Sequence, residues 1–207
     1  MSESGVVGVL LAGGLARRMG GGDKPLMTLG GKPLLDHVIE RARPQVDALV
    51  LNANGNPARF ETYGLPVVPD SVAGFAGPLA GVLAGMEWTR ANRPDCPLIA
   101  SFAADTPFFP SDLVARLVEA LEAGADIACA RSGGRDHPVF GLWPTALAND
   151  LRASLVDDGI RKIDAWTAKY RLGPVAYLDQ PHDPFFNVNR PEDLARAEEI
   201  HMGMVAS

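Results

Sequence analysis

Short apolar runs alternate along this chain with longer segments whose apolar residues recur at helical spacing. Val6 to Leu11, Ala48 to Leu51 and Leu98 to Ala103 are such runs. Runs of this length suit strands that are buried on both faces, and helical segments between them suit the crossovers of a parallel sheet. The pattern predicts an α/β fold, a three-layer α/β/α arrangement around a mostly parallel central sheet.

The remaining elements follow from the same pattern. A helix is predicted from Pro33 to Pro44, because apolar residues fall on one face between the two prolines. Further helices are predicted over Leu79 to Trp88, from a Ser111 cap through Ala123 with Asp112 in the first turn, and from Pro191 onward. Further strands are predicted at Leu65 to Val68, Asp126 to Ala130, Val139 to Trp143 and Val175 to Leu178. From Arg131 onward we expect a lobe or cap built on the same domain.

Composition restricts the class of protein. The 207 residues, 47% of them hydrophobic, suffice for one sizeable core and predict a single domain. A net charge of −6 argues against general nucleic-acid binding. Cys96 and Cys129 lack the spacing of a disulfide framework or zinc site, so we expect reduced core residues. The apolar run Val6 to Leu15 is broken by glycines and too short to span a bilayer, so we expect no membrane association and a cytoplasmic protein.

A glycine-rich segment with three cations follows the first apolar run. Leu11 to Lys24 reads Leu-Ala-Gly-Gly-Leu-Ala-Arg-Arg-Met-Gly-Gly-Gly-Asp-Lys. Glycines let backbone N–H groups approach phosphate oxygens, and Arg17, Arg18 and Lys24 can neutralise phosphate charge. The order matches neither a Walker A motif nor a dinucleotide-binding motif. On these residues alone, a nucleotide-binding loop and a surface loop with solvated arginines both remain open.

Two aspartates follow predicted strands. Asp105 comes just after Leu98 to Ala103, at the sheet edge where ligands bind in open α/β folds. One carboxylate there can hold Mg²⁺ against phosphates, because this ion keeps several of its waters. A turn or helix-capping aspartate is the alternative for Asp105. Asp70, within Pro69-Asp-Ser71, is by itself ordinary turn chemistry.

These motifs together carry a family resemblance. Leu11 to Gly14, followed by Arg17 to Pro25, resembles the nucleotide-binding signature of the sugar-nucleotidyltransferase-like family, and within it the molybdenum cofactor guanylyltransferases. Further motifs appear in the family's order: Asn52-Ala-Asn54, Pro69-Asp-Ser71, Gly77 to Gly81, Ala104 to Pro107, Arg135 to Pro138 and Asn187-Val-Asn189. The resemblance covers nearly the whole chain. It implies a Rossmann-like nucleotidyltransferase fold, with nucleotide bound by about residues 1–130 and the acceptor by about residues 131–207.

The implied activity is transfer of GMP from GTP to molybdenum-loaded molybdopterin, with Mg²⁺ as cofactor and pyrophosphate as the leaving group. Asp105 would bind the metal, and Lys24, Arg18 and Asp105 would be catalytic. The implied nucleotide contacts are Leu11, Ala12, Gly13, Gly14, Lys24, Asn52, Asp70 and Asp105. For Asp70, contact with base, ribose or the metal's surroundings stays open. Relatives that use cytidine nucleotides tend to carry Ala-Ala-Gly where this chain has Ala12-Gly13-Gly14, which favours GTP.

The acceptor is expected on the opposite side of the nucleotide. Asn187 and Asn189 alternate along an extended segment, so both amides can face a pterin edge or a phosphate. Arg135 and His137 lie in a predicted loop that could bind the pterin phosphate. Without the resemblance, the asparagines would be turn residues before Pro191 and the histidine a structural residue.

Three other functions remain open at this stage. The first is a cytidylyltransferase that acts on molybdenum cofactor or on a sugar or alcohol phosphate. The second is a non-catalytic carrier of molybdenum cofactor, and the third a purely structural α/β domain. Molybdoenzyme apoproteins or their chaperones stay open as protein partners.

Overall fold

A computed structural model describes residues 5–13, 24–74 and 77–205 of the chain. The strands are β1 (Val6–Leu11), β2 (Thr28–Leu29), β3 (Lys32–Pro33), β4 (Ala48–Asn52), β5 (Val67–Val68), β6 (Leu98–Ala103), β7 (Ile127–Ser132), β8 (Arg135–Pro144) and β9 (Leu172–Tyr177). The α-helices are α1 (Leu34–Ala42), α2 (Pro78–Asn92), α3 (Leu113–Glu122), α4 (Ala148–Val156), α5 (Ile163–Thr167) and α6 (Pro191–Val205). Short 3₁₀ helices cover Lys24–Leu26, Arg43–Gln45, Pro57–Tyr63 and Thr145–Leu147.

Seven strands form the central sheet, in the order β5-β4-β1-β6-β8-β7-β9, while β2 and β3 form a separate antiparallel pair. Strands β5, β4, β1 and β6 are paired in parallel. Strand β8 is antiparallel to both neighbours, β6 and β7, and β9 is parallel to β7. Among the strands of the described sheet, β8 alone therefore runs against the rest, and the prediction of a mostly parallel sheet is confirmed.

Helices cover both faces of this sheet, which confirms the three-layer prediction. Side chains alternate along β1: Val6 and Leu10 enter one apolar core, and Val7 and Val9 enter the other. The first core contains buried residues of α1 and α3, and the second those of α2, α4 and α5. A central strand that is buried on both faces in this way explains why its sequence is a continuous apolar run.

Most predicted boundaries lie within a few residues of the observed ones. Strands β1 and β6 have the predicted bounds, whereas α2 continues to Asn92, beyond the predicted end at Trp88. The predicted Ser111 cap is wrong, because α3 begins at Leu113 with Asp112 at the N-cap and no capping side-chain hydrogen bond. Residues after Arg131 add β8 and β9 to the central sheet, with β8 between β6 and β7.

The predicted loop at Arg135 to Pro138 is also wrong, because these residues begin β8. They pair with the end of β7 in a hairpin whose two turn residues are Gly133 and Gly134. Both glycines have positive φ, 53° and 73°, as the tight turns of two-residue hairpins require. Since the two glycines already complete the turn, pairing resumes at once with Arg135.

Two tryptophans and both cysteines lie in the core. Trp143 and Trp166 are fully buried and stack with their ring centroids 5.9 Å apart. Cys96 and Cys129 are buried free thiols, and burial raises the pKa of Cys129 to about 12, which keeps this thiol protonated at neutral pH. Within the part of the chain that the structure describes, no helix has the length and apolar character to cross a bilayer.

Candidate active site

The candidate site lies at the carboxyl edge of the parallel strands. Strands β1, β4, β5 and β6 all end at this edge because they are paired in parallel. Ala12 follows β1, Asn52 ends β4, Asp70 follows β5 and Asp105 follows β6. In open α/β sheets, ligands bind beyond the carboxyl ends of the strands, so a substrate is expected to bind at this edge.

Lys24 joins two distant parts of the chain at this edge. Its Nζ lies 2.5 Å from Asp105 Oδ2 and also donates a 2.5 Å hydrogen bond to Asn189 Oδ1. The Lys24 and Asp105 side chains are 13% and 21% exposed, so water screens this ion pair less than it would on an open surface. A cation and a carboxylate are thus held together where phosphates and a divalent ion could bind.

Thr106 connects Asp105 with the segment that carries the two candidate acceptor-binding asparagines. The Thr106 side chain is fully buried, and its Oγ1 lies 2.7 Å from Asn187 Oδ1 and 3.2 Å from Asp105 Oδ1. The Val188 backbone N–H donates to the Asp105 carbonyl at 2.9 Å. Asn187 and Asn189 therefore border the Lys24 and Asp105 pair directly. Thr106 was not among the predicted site residues, and its place within Ala104-Asp-Thr-Pro107 was the available signal.

A second cluster surrounds Asp70, which follows β5, three strands from β6 in the sheet. Asn52, only 4% exposed, donates from Nδ2 to Val68 O at 3.1 Å and to Asp70 Oδ1 at 3.0 Å. Asn54 Nδ2 donates to Asp70 Oδ2 at 2.7 Å, and the Asp70 N–H donates to Asn54 Oδ1 at 2.9 Å. The two asparagines thus fix the Asp70 carboxylate in one orientation. Asn54 was not a predicted site residue either, although it alternates with Asn52.

The orientation of Asn52 leaves its carbonyl oxygen toward the start of the glycine loop. Both Nδ2 hydrogens have acceptors, Val68 O and Asp70 Oδ1. A methyl group on Gly81 of α2 would overlap Asn52 Oδ1, and one on Gly13 would lie 3.8 Å from it. The Ala12 N–H also donates to the Asn52 carbonyl at 2.9 Å. The sheet edge therefore presents a buried acceptor between two glycines.

Asp70 and Asp105 follow strands that are not neighbours in the sheet. Strands β5 and β6 are separated by three strand spacings, about 14 Å between strand axes. Among residues 5–13, 24–74 and 77–205, no group of three or more histidine, cysteine or acidic side chains forms a metal cage. Asp105 as a lone carboxylate ligand still fits Mg²⁺, which is usually bound through one or two carboxylates together with substrate phosphates and water.

His137 and Arg135 lie further along β8, with different surroundings. His137 Nε2 is 2.7 Å from Ser132 Oγ, which donates to Asp183 Oδ1 at 2.7 Å, and the imidazole stacks on Phe185 at a centroid distance of 4.8 Å. Burial lowers the pKa of His137, partly offset by the nearby Asp183 charge. The histidine thus fastens the segment before Asn187 to the β7–β8 hairpin, while Arg135 is exposed at the start of β8.

The remaining predicted nucleotide contacts divide into two groups. Leu11 ends β1, Ala12 is buried beside it, and Gly13 is exposed at the beginning of the glycine-rich segment. Gly14 and Arg18, together with Arg17, lie outside the described residues.

Comparison with known proteins gives consistent matches. The model of the MobA-like NTP transferase domain matches residues 8–172. A molybdenum cofactor guanylyltransferase from Bradyrhizobium sp. (strain ORS 278) is 58% identical over 200 residues, covering 96% of this chain and 94% of the relative. The crystal structure of molybdopterin-guanine dinucleotide biosynthesis protein A from Archaeoglobus fulgidus has a TM-score of 0.74 at 27% identity, covering 96% of this chain and 100% of its own. A Mycobacterium tuberculosis protein solved in complex with manganese shares the fold, with a TM-score of 0.67 at 18% identity and coverage of 94% and 98%.

Proposed function

The chain belongs to the MobA-like NTP transferase family and is a nucleotidyltransferase, and on this premise we propose that it transfers GMP from GTP to molybdenum-loaded molybdopterin. The products are the guanine dinucleotide form of the cofactor and pyrophosphate. The observation that carries this proposal is the meeting of Lys24, Asp105 and Asn189 at the carboxyl edge of the sheet. There a nucleoside triphosphate and an anionic acceptor can both reach the Lys24 ammonium.

The reaction requires positioning of the two substrates and neutralisation of their charge, and it does not require a strong base. An oxygen of the molybdopterin phosphate attacks the α-phosphorus of GTP, a new P–O bond forms, and the bond to pyrophosphate breaks. The attacking phosphate is already anionic, so no proton has to be removed from it. The protein must bring two polyanions together in line, and fixed cations and amides can do so.

Lys24 and Asp105 suit this task. Lys24 Nζ bonds both Asp105 and Asn189, so the ammonium is held beside the groups that would meet phosphate oxygens. Asp105 would hold Mg²⁺, which when bound neutralises charge on the triphosphate and on the leaving pyrophosphate. The manganese complex of a protein with the same fold supports the use of a divalent ion. Arg18 is proposed as a further cation on the phosphates.

Base selection is proposed to depend on Asn52. Guanine carries adjacent donors at N1 and N2, and Asn52 Oδ1 is an acceptor because both amide hydrogens are used by Val68 and Asp70. Cytosine has acceptors at N3 and O2 on the corresponding edge, and Asn52 in this orientation offers no donor to them. Asp70 is proposed to act within the nucleotide pocket by fixing the Asn52 and Asn54 amides.

The test is turnover with molybdenum-loaded molybdopterin and Mg²⁺, with GTP and CTP in parallel, following both pyrophosphate release and dinucleotide formation. We expect turnover with GTP and at least a hundredfold lower rate with CTP, as for a site whose polar groups would be left unpaired. Turnover with CTP alone would contradict guanylyl transfer and identify the protein as a cytidylyltransferase. Nucleotide binding without pyrophosphate release would instead identify a carrier of the cofactor.

A further inference from the structure

We propose that Thr106 is a positioning residue that fixes the Asn187 amide with its NH₂ group toward the acceptor's phosphate. This inference deepens the proposed function and rests on it. Thr106 follows the candidate metal ligand directly, is fully buried and touches no open surface. Its effect on a substrate must therefore pass through a neighbour, and the neighbour at 2.7 Å is Asn187 Oδ1.

The hydroxyl of Thr106 has one proton to donate. Asn187 Oδ1 at 2.7 Å and Asp105 Oδ1 at 3.2 Å are both within reach, and the shorter contact favours Asn187. An oxygen that accepts this bond turns the Asn187 NH₂ group to the other side, away from the buried threonine. Since Asn187 is exposed, a buried hydroxyl thus sets the orientation of an amide at the open edge of the site.

The backbone around Asn187 is held independently of Thr106. Val188 is fully buried, packs with Leu29, Leu34 and Phe108, and donates its N–H to the Asp105 carbonyl. The segment should therefore remain docked when the hydroxyl is removed. Loss of the hydroxyl should free only the side-chain amide of Asn187.

Asn189 is oriented in the same way by a different partner. Its Oδ1 accepts from Lys24 Nζ, so its NH₂ group points away from Lys24. Two neighbouring amides that both present hydrogens match an acceptor-rich group, and phosphate oxygens are such a group. The geometry thus assigns the phosphate of the acceptor to these amides in preference to a donor edge of the pterin.

The first experiment compares Thr106→Val with Thr106→Ser in steady-state guanylyl transfer. Valine keeps the shape and removes the hydroxyl, and we expect a rise in KM for the acceptor of up to about tenfold, the value of one hydrogen bond. Serine keeps the hydroxyl and should restore the wild-type KM. Binding of GTP, measured by calorimetry, should be the same in both variants. An unchanged KM in Thr106→Val, or an equal loss in Thr106→Ser, would overturn the inference.

Thr89 provides the matched control. It is also fully buried, in α2, but its hydroxyl has no hydrogen-bond partner within the described part of the chain. Thr89→Val makes the same chemical change away from the site, so the acceptor KM should remain at the wild-type value. A similar KM rise in Thr89→Val would attribute the effect to general loss of buried hydroxyls.

A double-mutant cycle tests the route through Asn187. If Thr106 acts by orienting this amide, Thr106→Val should cost nothing further once Asn187→Ala has removed it. Fully additive losses would show that the hydroxyl acts elsewhere, for example on Asp105.

A measurement without turnover separates this inference from the proposed function. In the ¹H–¹⁵N spectrum, the Asn187 side-chain NH₂ signals are identified by their absence in Asn187→Ala. They should shift in Thr106→Val and return in Thr106→Ser, whichever nucleotide the enzyme uses. Signals that are identical in wild type and Thr106→Val would refute the positioning role even if guanylyl transfer is observed. If guanylyl transfer is not observed but the Asn187 signals shift in Thr106→Val, the proposed function is refuted and the orientation of the amide is supported.

Discussion

Lys24 is the residue whose contacts span the widest separation in the candidate site. Its ammonium bonds Asp105, 81 positions away, and Asn189, 165 positions away. Asp105 compensates its charge, and Asn189 supplies a neutral acceptor. A cation held between two partners is already oriented when a polyphosphate arrives, which reduces the reorganisation needed during the reaction.

We expect Lys24→Ala to lower guanylyl-transfer activity by at least about a hundredfold, as when one preorganised donor to a developing anion is lost. The measurement is kcat/KM for GTP, with circular dichroism to verify the fold. Lys32→Ala is the control, because Lys32 is exposed and pairs with the exposed Glu40. Equal activity of both variants would contradict the role of Lys24.

Asp105→Asn should keep the size of the side chain and remove its charge. We expect activity that no longer rises with Mg²⁺ concentration in the range that saturates wild type, because a neutral amide is a poor ligand for a hard cation. A magnesium titration of the rate measures this. Asp95→Asn, which alters the pair of the exposed Asp95 with Arg93, should follow the wild-type curve. A wild-type curve for Asp105→Asn would exclude the metal role.

The lowered pKa of His137 should make the free energy of unfolding depend on pH. Burial lowers the pKa of His137 below its usual value of about 6.5, so the unfolded chain binds more protons than the folded one below that pH. Stability should therefore fall as the pH decreases from about 6.5 toward the folded-state pKa. His137→Gln should make urea-unfolding free energies less dependent on pH between about 5 and 7. An unchanged slope would contradict the effect of burial.

At the scale of elements, close packing of α2 on the sheet shapes the proposed nucleotide pocket. Gly85 contacts Val9 of β1 so tightly that a methyl group there would lie 2.5 Å from Val9 Cγ2, and Gly81 meets Leu11 and Asn52. These glycines let α2 approach the ends of β1 and β4. The distance between helix and sheet thus determines where Asn52 Oδ1 lies.

Gly81→Ala should therefore raise KM for GTP by about tenfold or more, because the new methyl group displaces the Asn52 amide. The control is Gly203→Ala in α6, where a methyl group would meet nothing within 4 Å. That control should keep the wild-type KM and increase the free energy of unfolding by up to about 1 kcal/mol. If Gly81→Ala bound GTP as tightly as wild type, Asn52 would not contact the base.

At the scale of the whole molecule, the proposed nucleotide-binding and acceptor-binding parts share one sheet. Strand β8 lies between β6 and β7, and β7 pairs with β8 and β9 in the described sheet. A division near residue 130 would expose an edge of β6 and leave β7 without its partners. The proposed acceptor-binding part is thus also needed to complete the sheet that carries Asp105.

A fragment of residues 1–130 should consequently fail to form a stable nucleotide-binding domain. We expect poor dispersion in its ¹H–¹⁵N spectrum and no cooperative thermal transition, in contrast to the whole chain. A well-dispersed spectrum together with GTP binding would show that the first part folds by itself.

The sequence alone determined the class of fold and which residues end the strands. An apolar run such as Val6 to Leu11 or Leu98 to Ala103 is stable only when buried, and the first polar residue after it must lie at the sheet edge. The place of Asp70 and Asp105 at that edge is therefore a local property of the chain. The bounds of β1 and β6 were predicted for the same reason, because such patterns act over a few residues, whereas the end of α2 and the start of β8 were not.

Only the tertiary structure decided the strand order and the contacts across it. The position of the antiparallel β8, the bond from Thr106 to Asn187 and the link from Lys24 to Asn189 join residues that are far apart in the chain. No local pattern specifies such partners, because they result from the simultaneous packing of helices on both sheet faces. The orientation of each site amide is likewise set by neighbours that meet only after the sheet has formed.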